Sequence, residues 1–246
     1  MSDIQINIHS KTYPAIGQAG HHAAIADLKL SLKSGEFICL VGPSGCGKTT
    51  LLNIIANLDK DYKGEIRVGQ QQSHPKIGYI FQNPRLLPWR TVRENIELVL
   101  GSDQSPTVID PLLEVMQLTQ SQHVYPERLS LGMSRRVSII RAFAVDPEIL
   151  LMDEPFVSLD APTARQVREL LLKLWQERPH TVLFVTHDLR EAIALADRLI
   201  FLSAAPMTVI SEITVPVPRT ERNDEKAIEA FRQQLINDYP EIKQLL

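Results

Sequence analysis

The 246-residue sequence contains only two cysteines, Cys39 and Cys46. Two thiols so close together make no disulfide framework, and a structural zinc site wants four ligands, so a reducing cytoplasm fits the chain best. No uninterrupted apolar run approaches the roughly 20 residues a helix needs to cross a bilayer. Residues 1–10 lack the basic start and apolar centre of a signal peptide. A membrane is therefore expected to be met only through another protein. The sequence also lacks a marked charge excess: a net charge of −3 gives no general attraction to nucleic acid or to anionic lipid. An apolar fraction of 44% with 22% charged residues argues against disorder or a fibrous class. A chain of this length can bury a full core as one α/β unit, and one domain with two lobes is expected.

What is present is periodicity of two kinds. Ile4, Ile6 and Ile8, and again Leu28, Leu30 and Leu32, alternate with polar residues as half-buried strands do, and predict an antiparallel edge sheet. Residues 13–22 between them, with Pro14, Gly17 and Gly20, read as a loop. Residues 36–41 form a short, nearly continuous apolar run, the mark of a strand buried on both faces. A glycine-rich loop follows, then a helix predicted over residues 48–58 on the spacing of Leu51, Leu52, Ile55 and Leu58. Strands are expected at 65–68 and 77–81, and a helical stretch from 91 to about 144, with Ile96, Val99, Leu100, Leu112, Val115, Met116, Val137, Ile140 and Arg141 at helical intervals. Alternation of strand and helix then resumes to residue 210, which argues a parallel sheet covered on both faces. In the tail, Ile228, Phe231, Leu235 and Tyr239 can share one helix face.

The chemistry-bearing residues sit at the ends of the buried strands. Gly42, Pro43, Ser44, Gly45, Cys46, Gly47, Lys48 and Thr49 match G-x-x-x-x-G-K-[ST] between a buried strand and a helix, with Thr50 next in line. Glycines let the backbone wrap closely so that its N–H groups converge on phosphates, and the following helix presents its positive end. Lys48 would neutralise the β- and γ-phosphates, and Thr49 would offer a hydroxyl to Mg²⁺. Downstream, residues 149–154 form an apolar strand ending in Asp153 and Glu154. Acids at the carboxyl end of such a strand reach the crevice where open α/β sheets bind ligands. Asp153 is placed to hold Mg²⁺, and Glu154 to orient and polarise an attacking water. Together the two elements describe a nucleotide-hydrolysing fold.

Four motifs resemble those of the ATP-binding subunits of ABC transporters, and the resemblance runs along nearly the whole chain. Phe81-Gln-Asn-Pro84 supplies the glutamine, Gln82, that the family carries after its third strand. Leu129-Ser-Leu-Gly-Met133 stands where the family's L-S-G-G-Q signature is expected. Asp153 to Asp160 read D-E-P-x-x-x-L-D, and Thr186-His-Asp188 matches the T-H-D motif. Tyr13 resembles the aromatic that stacks on adenine. The resemblance implies an α/β P-loop NTPase (RecA-like) core with an antiparallel β edge subdomain at residues 1–88 and 145–215, an inserted α-helical subdomain at 89–144 and a helical tail at 216–246. It implies ATP and Mg²⁺ as ligands, with Gln82 joining Thr49 and Asp153 at the metal and His187 acting as the switch histidine. It places Ser130 and Gly132 at the nucleotide of a facing subunit, and makes Asp160 a dimer contact among the nucleotide-binding residues. Leu131 and Met133 depart from the signature; a side chain at 131 requires a negative φ there and an orientation away from phosphate.

The expected partners are a second ATPase subunit, most simply a homodimer, transmembrane permease subunits reached through residues 85–90, and a substrate-binding protein acting through the permease, at the cytoplasmic face of the inner membrane; nucleic acid is not expected. Residues 81–89 and the methionine in the signature resemble ATPases of nitrate, sulfonate, taurine and bicarbonate importers. Lipid-trafficking ABC ATPases and a slowly hydrolysing structural subunit are the alternatives. Soluble ABC ATPases of DNA repair or translation share the core, but they carry a long coiled-coil insertion or two ATPase units in one chain, and this sequence has neither.

Overall fold

The computed structural model describes residues 3–14, 20–69, 75–102, 104–222 and 224–243; Gly17 and the centre of the loop expected at 13–22 lie outside the described residues. In chain order the strands are β1 (Ile4–Tyr13), β2 (His22–Leu32), β3 (Phe37–Val41), β4 (Lys63–Val68), β5 (Ile77–Ile80), β6 (Ile149–Asp153), β7 (Thr181–Val185), β8 (Arg198–Leu202) and β9 (Val209–Thr214). The principal helices are α1 (Lys48–Ile55), α2 (Val92–Glu97), α3 (Ile109–Val115), α4 (Leu131–Ala144), α5 (Ala161–Glu177), α6 (Leu189–Leu195) and α7 (Glu225–Asp238). The chain forms two compact units, Met1–His74 with Thr181–Leu246, and Pro75–His180.

In the first unit β1 runs antiparallel to both β2 and β4, with Ile4 opposite Leu32 and Val68. The period-two pattern is the cause: Ile4, Ile6, Ile8, Leu28, Leu30 and Leu32 are all buried, and the residues between them are exposed or half-exposed. Each fully buried Ile or Leu contributes about 1.5–3 kcal/mol, so this apolar face outweighs any surface ion pair at about 0–1 kcal/mol. The apolar β3 is buried throughout and pairs in parallel with β7 and β8. The rings of Phe37 on β3 and Phe184 on β7 meet edge to face at 6.4 Å. β9 adds to β8 in the antiparallel sense, so the sheet read as parallel has one antiparallel member. Residues 203–208 are too few for a parallel crossover, which takes about a dozen residues or more.

α1 stops at Ile55, one turn short of its expected end, and Leu58 is 62% exposed. Asn57 takes φ 57°, its N–H reaches the Ile54 carbonyl at 3.0 Å, and the Leu58 N–H reaches the Asn53 carbonyl at 2.9 Å. That is a Schellman closure with asparagine in the left-handed position. α7 buries Ile228, Phe231 and Leu235 as their spacing predicts, while Tyr239 sits half-buried just past its end.

The second unit holds the parallel pair β5 and β6, with Ile77 opposite Ile149. The stretch read as helical from 91 to 144 consists of α2, α3 and α4 separated by 3₁₀ turns at Pro106–Val108, Thr119–Ser121 and Pro126–Arg128. Two of these turns open with proline, which lacks an N–H and is tolerated only in a first helical turn. Val99 and Leu100 lie beyond the end of α2. A capping box fixes where α2 starts: the Thr91 hydroxyl accepts from the Glu94 N–H at 3.3 Å and the Glu94 carboxylate accepts from the Thr91 N–H at 2.7 Å.

Gly64 on β4 has φ 148°, and a Cβ there would lie 2.2 Å from the Asn7 carbonyl oxygen, beside the register shift between Ile8 and Ser10. Gly64→Ala is expected to lower stability by about 2 kcal/mol or more through strain and clash. An unchanged urea midpoint would contradict this account of the β1/β4 contact.

Candidate functional site

In the first unit residues 42–47 turn from β3 into α1. Gly45 at φ 77° and Gly47 at φ 113° hold left-handed conformations that a side chain would strain. Gly47 is the N-cap of α1 and, lacking a side chain, makes no cap of its own to the helix's first N–H groups. A Cβ on Gly47 would stand 3.1 Å from the Ala24 carbonyl oxygen, and one on Gly42 would stand 3.1 Å from Leu202, which explains why the loop can pass so close to its neighbours. The Lys48 ammonium group, 7% exposed, donates to the carbonyl oxygens of Gly42 at 2.7 Å and Pro43 at 2.8 Å. It lies back across its own loop, beside the buried Cys46 sulfur at 3.9 Å. Thr49 and Ser44 are exposed on the loop and helix start. A curved backbone with a cation laid over it and an uncapped helix end is chemically a receptor for a polyanion.

Tyr13, at the end of β1, is bound into this loop. Its hydroxyl lies 3.0 Å from the Thr50 hydroxyl, one residue after Thr49, and 3.5 Å from the Asp59 carboxylate. The buried Lys11 ammonium stands 4.6 Å from the ring centroid and pairs with Asp59 at 2.9 Å. Lys11 and Tyr13 are two residues apart on one strand and therefore share a face.

His187 projects as an exposed side chain after β7, in a turn pinned on both sides. The buried Thr186 hydroxyl accepts from the Asp188 N–H at 3.0 Å and donates to Glu191 at 2.8 Å, while the Asp188 carboxylate caps α6 by accepting from the Arg190 N–H at 2.8 Å. The backbone at His187 is fixed although its ring is accessible.

In the second unit Asp153 is buried at the end of β6, and Glu154 follows with φ 44°, a conformation a glutamate adopts at a cost of about 1–3 kcal/mol. The Gln82 amide donates to the Glu154 carboxylate at 3.4 Å, so these two predicted residues meet. Burial, with the Asp153 charge as the second cause, raises the Tyr79 phenol above its usual range. Beyond Glu154 the chain turns through Ser158 at φ 65° to Asp160, which caps α5 by accepting from the Thr163 N–H at 3.0 Å and the Thr163 hydroxyl at 2.7 Å. Those bonds hold the Asp160 carboxyl below its ordinary pKa.

Ser130 caps α4, its hydroxyl accepting from the Met133 N–H at 3.2 Å. Leu131 is the first residue of that helix, has no positive φ, and is 43% exposed; both conditions required of a side chain at this position are thereby compatible with the backbone. Gly132 is buried, and a Cβ on it would lie 2.6 Å from the Thr163 methyl. Thr163 thus brings Gly132 and Asp160 into one cluster.

The sequence reading missed the residues that hold segment 84–91. Asn95 is fully buried, accepting from the Leu87 N–H at 2.8 Å and donating to the carbonyls of Leu87, Arg90 and Thr91. Arg141 donates to the carbonyls of Pro84 at 2.8 Å and Arg85 at 3.0 Å. Trp89 emerges from the segment 70% exposed. Charged residues surround Asn95 in sequence, at Arg93, Glu94 and Glu97, so no sequence signal marked it for this arrangement.

Tyr13→Phe keeps the ring and removes the hydroxyl bonded to Thr50. The expected loss is about 0.5–1 kcal/mol, read from chemical denaturation; an unaltered midpoint would show that this bond contributes nothing.

The sequence pattern of the ABC transporter family matches residues 25–157. The nitrate import ATP-binding protein NrtD of Synechococcus elongatus is 41% identical over 225 residues, covering 87% of this chain and 81% of that protein. The aliphatic sulfonates import ATP-binding protein SsuB of Bacillus subtilis is 38% identical over 249 residues, covering 98% of this chain and 96% of that protein. Among solved structures, a dimeric bacterial ABC transporter cassette superposes with a TM-score of 0.75 at 33% identity, covering 87% of this chain and all of that one. A post-hydrolysis state of the same cassette, bound to ADP and Pi, matches with the same TM-score at 32% identity. On these matches the chain is a P-loop NTPase that belongs to the ABC transporter family.

Proposed function

We propose that this chain binds and hydrolyses ATP as the energy-supplying subunit of an ABC importer for a small anion of the nitrate or sulfonate class. The observation that carries the ATPase reading is the glycine-rich loop, with Lys48 across its carbonyls and glycines in left-handed conformations at 45 and 47. The import reading rests on relatives named for nitrate and sulfonate import, and a bicarbonate or taurine importer would have the same architecture.

In this reading Lys48 exchanges the Gly42 and Pro43 carbonyls for the β- and γ-phosphate oxygens, and loop N–H groups complete the cradle. Thr49, Gln82 and Asp153 offer only oxygen donors, the chemistry that suits a hard divalent cation. Among the described residues no three His, Cys, Asp or Glu side chains converge, and that donor set fits Mg²⁺, which completes its shell with phosphate and water rather than a protein cage. Bound there, Mg²⁺ would neutralise charge on the phosphate oxygens. Glu154, held through Gln82, orients and polarises the attacking water, and His187 on its pinned turn senses the γ-phosphate. Tyr13 stacks on the base.

A second copy supplies Ser130 and Gly132 to the nucleotide, with Asp160 at the dimer contact, in an isologous pair, as the dimeric form of the related cassette suggests. Leu131, at a negative φ and 43% exposed, keeps the helical backbone that the signature needs at the start of α4, which favours a competent signature over a slowly hydrolysing structural subunit. Segment 84–91, held by Asn95 and Arg141 and presenting Trp89, receives a cytoplasmic helix of the permease. No helix among the described residues is long and apolar enough to cross a membrane. In this reading the subunit works peripherally at the cytoplasmic face, as the importer role requires, with a substrate-binding protein feeding the permease.

Glu154→Gln is expected to reduce turnover by about 100-fold or more while ATP affinity is retained. Parental turnover in that variant would reject the catalytic assignment. Stimulation of the reconstituted transporter's ATPase by nitrate or an alkanesulfonate with its binding protein tests the import reading; stimulation by lipid alone would replace it.

A further inference from the structure

We infer that Arg135 is a positioning residue that links the start of α4 to the Gln82–Glu154 pair of the same chain. Arg135 stands five residues after the Ser130 cap and is 2% exposed, among the largest fully buried side chains. None of its donors meets a carboxylate among the described residues. One terminal nitrogen donates to the Phe81 carbonyl at 3.0 Å, the other to the Val157 carbonyl at 3.4 Å, and Nε has no partner. Burial alone lowers its pKa from the usual arginine value.

A buried cation with no anion is costly, and an apolar side chain of similar volume would fill the same space without that cost. What an apolar side chain cannot do is hold two carbonyls on separate segments, which the planar guanidinium fork does. The two segments are specific. Phe81 precedes Gln82 directly, and Val157 lies in the turn after Glu154, its own N–H bonded to the Glu154 carbonyl at 3.2 Å. Gln82 and Glu154 meet at the far ends of these tethers. A displacement of the start of α4 is therefore carried by one rigid group to both sides of that contact. The inference rests on the catalytic reading of Glu154 given above, and it adds that occupancy at Ser130 and Gly132 adjusts water positioning in the chain's own site.

Arg136 provides the control. It is the next residue on the helix, burial also lowers its pKa, and it too donates to a carbonyl, that of Met116 at 3.0 Å, but it touches neither segment. The experiment measures kcat, ATP dissociation constant and melting temperature of the full-length chain for Arg135→Met, Arg135→Lys and Arg136→Met, with Glu154→Gln in parallel. Misplacing the pair should lower kcat in Arg135→Met between about ten- and a hundredfold with the dissociation constant within about threefold of the parent. Arg135→Lys, which can reach one carbonyl, should recover part of that loss and carries the test if Arg135→Met does not fold. Arg136→Met should keep kcat within about twofold. Parental kcat in both Arg135 variants, or an equal loss in Arg136→Met, overturns the inference. Parental turnover in Glu154→Gln overturns instead the catalytic reading on which it stands.

Discussion

A backbone that is to receive a polyanion must keep side-chain acceptors from crowding it, and the loop of the first unit meets that requirement with glycine at its left-handed positions. Most helix ends in this chain are closed by a side chain: Thr91, Ser130, Asp160, Asp188 and Asp224 each accept an N–H of the helix they precede. α1 is preceded by Gly47, which has nothing to offer. An oxygen-bearing residue there would satisfy an N–H and also place acceptor density where phosphate belongs. The left-handed φ that excludes other residues and the absence of a cap are thus one choice seen twice. Lys48 answers the opposite problem, the carbonyls that the tight turn leaves pointing inward. Its ammonium group satisfies them until a better acceptor arrives, so the loop holds its shape with its cation already in place.

In the second unit two capped helix starts stand together. Ser130 and Asp160 each close a helix, and Thr163 brings those two starts together, its hydroxyl and N–H on Asp160 and its methyl against Gly132. A Cβ at 132 has no room, whereas a whole leucine at 131 does, because the first residue of a helix points away from the turn it opens. The two signature positions therefore differ in tolerance for a steric reason: glycine is demanded where α4 faces α5, and nowhere else in the first turn.

Much of the architecture was legible because it is written in one-dimensional patterns. Alternating isoleucines and leucines gave the β1/β2 pair, continuous apolar runs gave β3, β6 and β7, and the phosphate loop is a fixed local sequence whose conformation follows from its glycines. The misreadings fall where periodicity continues past a local stop. Leu58 keeps helical spacing, but Asn57 had already closed α1 in the left-handed conformation. Between 91 and 144 apolar spacing persisted through Pro106 and Pro126, each of which starts a new turn. β9 runs antiparallel because a six-residue connection permits nothing else, a topological fact that no strand pattern records. Asn95 and Arg135 were invisible for another reason. Both are polar residues whose role is to hold carbonyls of distant segments, and nothing in their neighbours' identity announces which carbonyls those will be.

That last property distinguishes α4 from the other helices. Arg135, Arg136 and Arg141 all project from it, all have their pKa lowered by burial, and all donate to backbone carbonyls: Phe81 and Val157, Met116, and Pro84 with Arg85. Side chain to backbone bonds of this kind do not depend on the identity of the residue held, only on the path of its main chain. Pro84 and Arg85 can therefore vary their side chains to suit a partner while Arg141 keeps their course. A helix fastened in this way can shift slightly at its Ser130 end and draw the Gln82 segment and the turn after Glu154 with it, without first breaking a packed core.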